Sequence, residues 1–155
     1  MKYTAGLWVY KIDREGLKIL LVHPGGPFFS KKDSNVWSIP KGEYDPKTED
    51  AFEVAKREFN EETGNTITSE SFIELSTVKS RGGKMIKSWA TEADFNPCFI
   101  SSNYFEMEWP PKSGKMQSFP ETDKAEWFNT DEVRQKINLS QLPIFEELLQ
   151  KLNAS

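Results

Sequence analysis

The chain has 155 residues, enough for one domain (1–155) with a hydrophobic core of its own. Its 37% apolar and 13% aromatic content argues for a folded globule, and a net charge of -4 gives no basis for general binding of nucleic-acid polymers, which calls for a basic surface. A single cysteine, Cys98, excludes an internal disulfide and a cysteine-rich zinc site, and a single histidine, His23, leaves little room for a multi-histidine metal site. No apolar run approaches a membrane span and the first residues lack a signal-peptide core, so a soluble, cytoplasmic protein without a membrane partner is expected. Nothing in the sequence fixes the oligomeric state.

Residues 3 to 12 alternate, with Ala5, Leu7 and Val9 on one side and Trp8 and Tyr10 on the other. That predicts a strand covered on both faces. A turn over Asp13 to Gly16 leads to a second buried strand, Leu17 to His23, and the two form a hairpin. Pro24 opens a loop to Asn35 that holds Gly25, Gly26, Phe28, Phe29, Lys31 and Lys32. Its aromatics either cap a core edge or stack on a base, with the cap preferred. Val36 to Ile39 reads as a short strand ending at Pro40.

Asp50 followed by Glu53 has the spacing of a capping box, so a helix is predicted from about Ala51 to Thr63, with Gly64 just past its end. Phe52, Ala55 and Phe59 form its apolar stripe. Two strands, Phe72 to Lys79 and Met85 to Phe95, flank a basic turn containing Arg81, Gly82, Gly83 and Lys84. Cys98 to Ile100 continues as strand, with Cys98 as a small buried residue. Tyr104 to Trp109 alternates again. Pro110 to Pro120 reads as a flexible, basic loop, followed by a short strand over Ala125 to Phe128. Asp131 to Ile137 forms a short helix with Thr130 as N-cap. A last amphipathic helix begins near Ser140 to Pro143 and carries Phe145, Leu148, Leu149 and Leu152. This order predicts an α/β protein with a mixed sheet and helices packed on it.

The chemistry concentrates in the first helix. Glu58, Glu61 and Glu62 stand at i, i+3 and i+4 and so share one side over a turn. Like charges at that spacing destabilise a helix by a few tenths of a kcal/mol per pair. A divalent cation among the carboxylates relieves this, because Mg²⁺ takes oxygen ligands. On the three acids alone, a solvated charged helix face is the preferred reading.

The flanking residues decide between these. Glu49, then seven residues, then Arg57-Glu58-Phe59-Asn60-Glu61-Glu62-Thr63-Gly64, resembles the signature box of the Nudix hydrolases. The preceding Trp37-Ser38-Ile39-Pro40-Lys41-Gly42-Glu43 also looks like that family's lead-in. The pattern departs twice: six residues separate Gly42 from Glu49 where the family has five, and Asn65 stands where the family has an apolar residue. The extra residue puts the placing of Gly42 in question.

The resemblance implies a Nudix-type α/β/α sandwich with a mixed central sheet. It also implies a hydrolase that cleaves the pyrophosphate of a nucleoside diphosphate linked to another group, using Mg²⁺ or Mn²⁺. Its partner is a small nucleotide of the nucleoside triphosphate or dinucleoside polyphosphate type. By resemblance Glu61 and Glu62 are metal ligands, with the Gly42 carbonyl as a third. Glu58 is a further ligand or the base that activates water. Arg57 holds Glu49 in an ion pair, or else pairs along the helix with Glu53 or Glu61. Lys41 meets a phosphate or is solvated. Trp37, Arg81 and Lys84 are candidate substrate-binding residues. A distal acid from a later loop completes such a site; Glu106, Glu108 and Glu121 are candidates, with Glu121 preferred for its place six residues before Trp127. A non-catalytic nucleotide sensor on the same fold is the alternative, and a Cys98-dependent isomerase on that fold a more distant one.

Overall fold

The computed structural model describes residues 1–96 and 103–153. The expected strand over Cys98 to Ile100, and the place of Cys98, lie outside the described residues. The first hairpin forms as the alternation predicts. Strand β1 (Lys2–Asp13) pairs antiparallel with β2 (Gly16–Pro24), with Asp13 opposite Gly16 at the turn. β3 (Lys41–Tyr44) pairs antiparallel with the first half of β1, Gly42 lying opposite Ala5. Helix α1 (Ala51–Thr63) follows. Two short strands, β4 (Ile73–Glu74) and β5 (Val78–Lys79), line the edge of β6 (Lys84–Glu92), which runs parallel to β1. β7 (Tyr104–Glu108) and β8 (Met116–Pro120) form a separate two-stranded ribbon. β9 (Thr122–Asn129) then pairs antiparallel with β2, and α2 (Thr130–Lys136) and α3 (Leu142–Asn153) close the chain.

Among the described residues the main sheet has seven strands in the order β4-β6-β1-β2-β9, with β3 attached to β1 and β5 to β6. One parallel pair among antiparallel ones makes it the mixed sheet expected. Period-two alternation in β1 feeds two cores. Ala5, Leu7 and Val9 pack with Val54, Ala55 and Phe59 of α1. Trp8 and Tyr10 pack on the other face with Val133 of α2 and Ile144, Phe145 and Leu148 of α3. The result is a helix, sheet, helix sandwich with α1 alone on one face. No helix among the described residues is long and apolar enough to cross a membrane.

Several local expectations are corrected. Val36 to Ile39 is not a strand; only isolated bridges occur, Ser38 to Val22 and Trp37 to Ile137. The pairing segment begins after Pro40, at Lys41. Phe72 to Lys79 breaks into β4 and β5, because at Ser76 the backbone N–H turns to the Glu147 carboxylate of α3 (3.0 Å). Met116 to Pro120, expected as loop, is strand, since β7 supplies its partner. The N-cap of α2 is Asn129, which makes a reciprocal capping box with Glu132. At α1 only half of the expected box forms: Asp50 accepts from the Glu53 N–H. Phe28 and Phe29 cap neither core; Phe28 is 56% exposed and packs edge-on against Trp109 of the ribbon's turn, centroids 5.3 Å apart.

Candidate active site

The acidic side of α1 is set by its apolar side. With Ala55 and Phe59 fully buried against β1, the helix register turns Glu58 and Glu62 toward β3 and leaves Glu61 nearer the rim. Side-chain exposure grades accordingly, 15% for Glu58 and 36% for Glu61, while Glu62 is 8% exposed as a residue. Burial pushes the Glu62 carboxyl well above the usual carboxylate range; Glu58 adds to the rise, and the Lys41 ammonium and backbone N–H oppose it. Glu58 is also raised, by burial first and Glu61 second, with Arg57 opposing. Lys41 is shifted down by burial and by Lys84, against the pull of Glu62. A buried Oε2 of Glu62 has no hydrogen-bond partner among the described residues, an expensive state for a carboxylate.

Gly42 is the contact surface for Glu58. A Cβ at this position would lie 2.1 Å from the Glu58 Cδ and 2.4 Å from its Oε1. Only a glycine lets the carboxyl group lie against the β3 backbone. Six residues lie between Gly42 and Glu49. A compact turn absorbs the length: the Thr48 and Glu49 N–H groups donate to the Asp45 carbonyl at 3.1 and 2.8 Å. Glu49 then closes the turn by accepting the Asp45 N–H at 2.9 Å.

Arg57 joins this turn to the helix. Its guanidinium is 3.3 Å from Glu49 Oε2, 3.6 Å from Glu58 Oε1 and 3.8 Å from Glu61 Oε1. It thus makes the Glu49 pair expected and the alternative pair to Glu61 as well; Glu53 pairs with Lys56 instead.

Of the three distal acids, Glu121 lies in the electrostatic field of the site, raising both Glu58 and Glu62. Glu106 and Glu108 lie out on the ribbon, where Glu108 accepts the Lys112 N–H at 2.7 Å. Lys41, Arg81 and Lys84 converge on a cleft of about 700 Å³ that Asn35, Asn138 and Gln141 also line. Lys84 is not free in it, since its Nζ is 3.3 Å from Glu43 Oε1. Trp37 needs correction as a substrate-binding residue. It is 2% exposed, its ring lies edge-on to His23 and Phe128, and its Nε1 donates to Asp33. It is a core residue.

Asn103 also reaches the site, and no sequence spacing pointed to it. Asn103 Nδ2 donates to Glu61 Oε2 at 3.3 Å.

Among the described residues no three acidic or histidine side chains already enclose a cation position. The donor set nevertheless fits a hard divalent cation: clustered carboxylates, one of them with a buried oxygen that has no partner among the described residues, and another packed directly on the Gly42 backbone. Chemically, such an array can bind a divalent cation and take a proton from water.

A sequence profile of the NUDIX domain matches residues 2–148. A search of curated protein sequences finds no match. Solved structures of similar fold include the NUDIX domain of Shewanella oneidensis NrtR complexed with ADP ribose, at TM-score 0.67 and 16% identity, covering 97% of this chain and 87% of that one. The Ap4A hydrolase of C. elegans matches at TM-score 0.60 and 22% identity, covering 97% and 96%. The C-terminal domain of mouse MUTYH, solved with human PCNA, matches at TM-score 0.65 and 15% identity, covering 99% and 90%. At these identities the likeness is one of fold.

Proposed function

The chain belongs to the NUDIX family of pyrophosphate-bond hydrolases, and from that premise we propose that it hydrolyses a nucleoside triphosphate or dinucleoside polyphosphate with Mg²⁺ or Mn²⁺. The observation that carries the metal dependence is Glu62, a buried carboxylate with an unpartnered oxygen beside Glu58. Glu62, Glu61, Glu58, the Gly42 carbonyl and Glu121 would hold the cation. When bound, it neutralises phosphate oxygens and lowers the pKa of water.

The remaining work falls to the protein's own groups. Glu58 accepts the proton of the attacking water; its raised pKa brings it nearer the range a base needs at neutral pH. Arg57 fixes Glu49, Glu58 and Glu61 relative to one another, so that the carboxylates do not splay apart. Lys41 and Arg81 present positive charge to the polyphosphate from the adjoining cleft. Lys84 joins them on releasing Glu43. A free nucleotide as substrate agrees with the proposed cytoplasmic location.

A binding-only reading draws on the likeness to the NrtR domain, solved with ADP ribose. One experiment separates the two: incubation with nucleoside triphosphates, dinucleoside polyphosphates and nucleotide sugars, with and without Mg²⁺, followed by product analysis. Metal-dependent cleavage of a member of the panel supports the hydrolase. Saturable binding without turnover of any member supports the sensor.

A further inference from the structure

The β7–β8 ribbon leaves and rejoins the body of the protein at two hydrogen-bonded residues, Asn103 and Glu121. The Glu121 N–H donates to the Asn103 carbonyl at 2.8 Å. The Asn103 side chain in turn donates to Glu61 at 3.3 Å. One residue therefore holds the backbone of the loop acid and the carboxylate of a helix acid.

Glu121 is held from the other side too. Its carbonyl accepts the Gly25 N–H at 2.9 Å. Gly25 comes so close that a Cβ there would lie 2.0 Å from the Pro120 carbonyl oxygen. The strand pairing shifts register between His23 and Pro24, and such bulges re-aim neighbouring side chains. His23, 1% exposed, fixes the base of this loop, with ring nitrogens 2.8 Å from Asp123 Oδ1 and 2.7 Å from the Lys32 carbonyl.

These bonds oppose a definite force. Carboxylates gathered at one site repel one another, so an acid brought there on a loop needs tethers to stay in place. A carboxylate ligand on a loop is only as well placed as the shell that supports it.

Resting on the metal-dependent reading above, we propose that Asn103 is a positioning residue which, with Gly25, holds Glu121 in register with Glu61 for a shared divalent cation. The test is Mn²⁺ binding, followed by electron paramagnetic resonance on the full chain without nucleotide. Asn103→Ala should bind Mn²⁺ about tenfold more weakly, keep its circular dichroism and melting temperature, and lower kcat with KM little changed. Asn103→Gln, which keeps the amide donor, should recover part of the affinity. Gly25→Ala should weaken Mn²⁺ in the same direction.

In a Glu121→Gln background most of the Asn103→Ala effect should vanish: the amide ties Glu61 to the residue whose backbone carries Glu121, and that register no longer bears on the cation once Glu121 is not a ligand. Wild-type Mn²⁺ affinity in Asn103→Ala, or full multiplicativity with Glu121→Gln, overturns the positioning role. If Glu62→Gln loses Mn²⁺ while Asn103→Ala does not, only that role fails. If Glu62→Gln binds Mn²⁺ as the wild type does, the metal site at α1 falls, and the role with it.

Discussion

Replacing Gly42 by alanine tests the packing of the acidic helix on β3. The new methyl group would stand 2.1 Å from the Glu58 Cδ, where ordinary contact begins at 3.4 Å. The carboxyl group must then move by about 1.3 Å or the strand must bend away. A displacement on the order of 1 Å in a catalytic group costs about 100-fold in rate, or roughly 2.7 kcal/mol of barrier. Stability should change less, because alanine in a strand gains roughly 0.5–1 kcal/mol over glycine in backbone entropy, which offsets part of the strain. The assay is steady-state hydrolysis of the best substrate from the panel, with thermal melts alongside. Gly42→Ala should lose about two orders of magnitude in kcat with KM nearly intact. Gly42→Ala/Glu58→Ala should melt above Gly42→Ala, since the clashing group is gone. A Gly42→Ala protein with wild-type kcat and melting temperature would refute the close packing of Glu58 on this backbone.

Glu62→Gln removes a carboxyl that burial holds well above its usual range. Such a group binds more protons folded than unfolded, so its contribution to stability falls as pH rises from the unfolded value of about 4.3 through the folded one. Without divalent metal, Glu62→Gln should therefore melt higher than the wild type at pH 8, with the gap narrowing at pH 5; a lower melting temperature at pH 8 would contradict the burial penalty. Phe59→Ala empties a fully buried position in the core beneath the acids, and urea titration should show a loss of about 3–5 kcal/mol. Arg81→Ala removes a cation from the cleft wall; KM for a polyphosphate substrate should rise several-fold, more at low salt than at high salt, and an unchanged KM would place the polyphosphate elsewhere.

The parts legible in the sequence are those governed by local rules. Alternation in Ala5 to Tyr10 gave both faces of β1, and Asp50 with Gly64 gave α1 to the residue. The acidic cluster was legible because its spacing lies within one helix. Its partners were not, because they come from far along the chain: Asn103 meets Glu61 across 42 residues, and Gly25 meets Glu121 through a backbone bond that leaves no side-chain signature. Met116 to Pro120 reads as loop because its order comes from pairing with β7. Trp37 sits in the motif's lead-in, yet its indole fills the core between His23 and Phe128. Proximity in sequence to the acids says nothing of which way a side chain faces.

The most direct test of the central claim is metal-dependent turnover in Glu61→Gln and Glu62→Gln, each shown by circular dichroism to be folded. The carboxylates of α1 as the cation's ligands predict loss of most Mg²⁺-dependent hydrolysis in both variants, together with loss of Mn²⁺ binding. Full turnover with Mg²⁺ in either variant would contradict it.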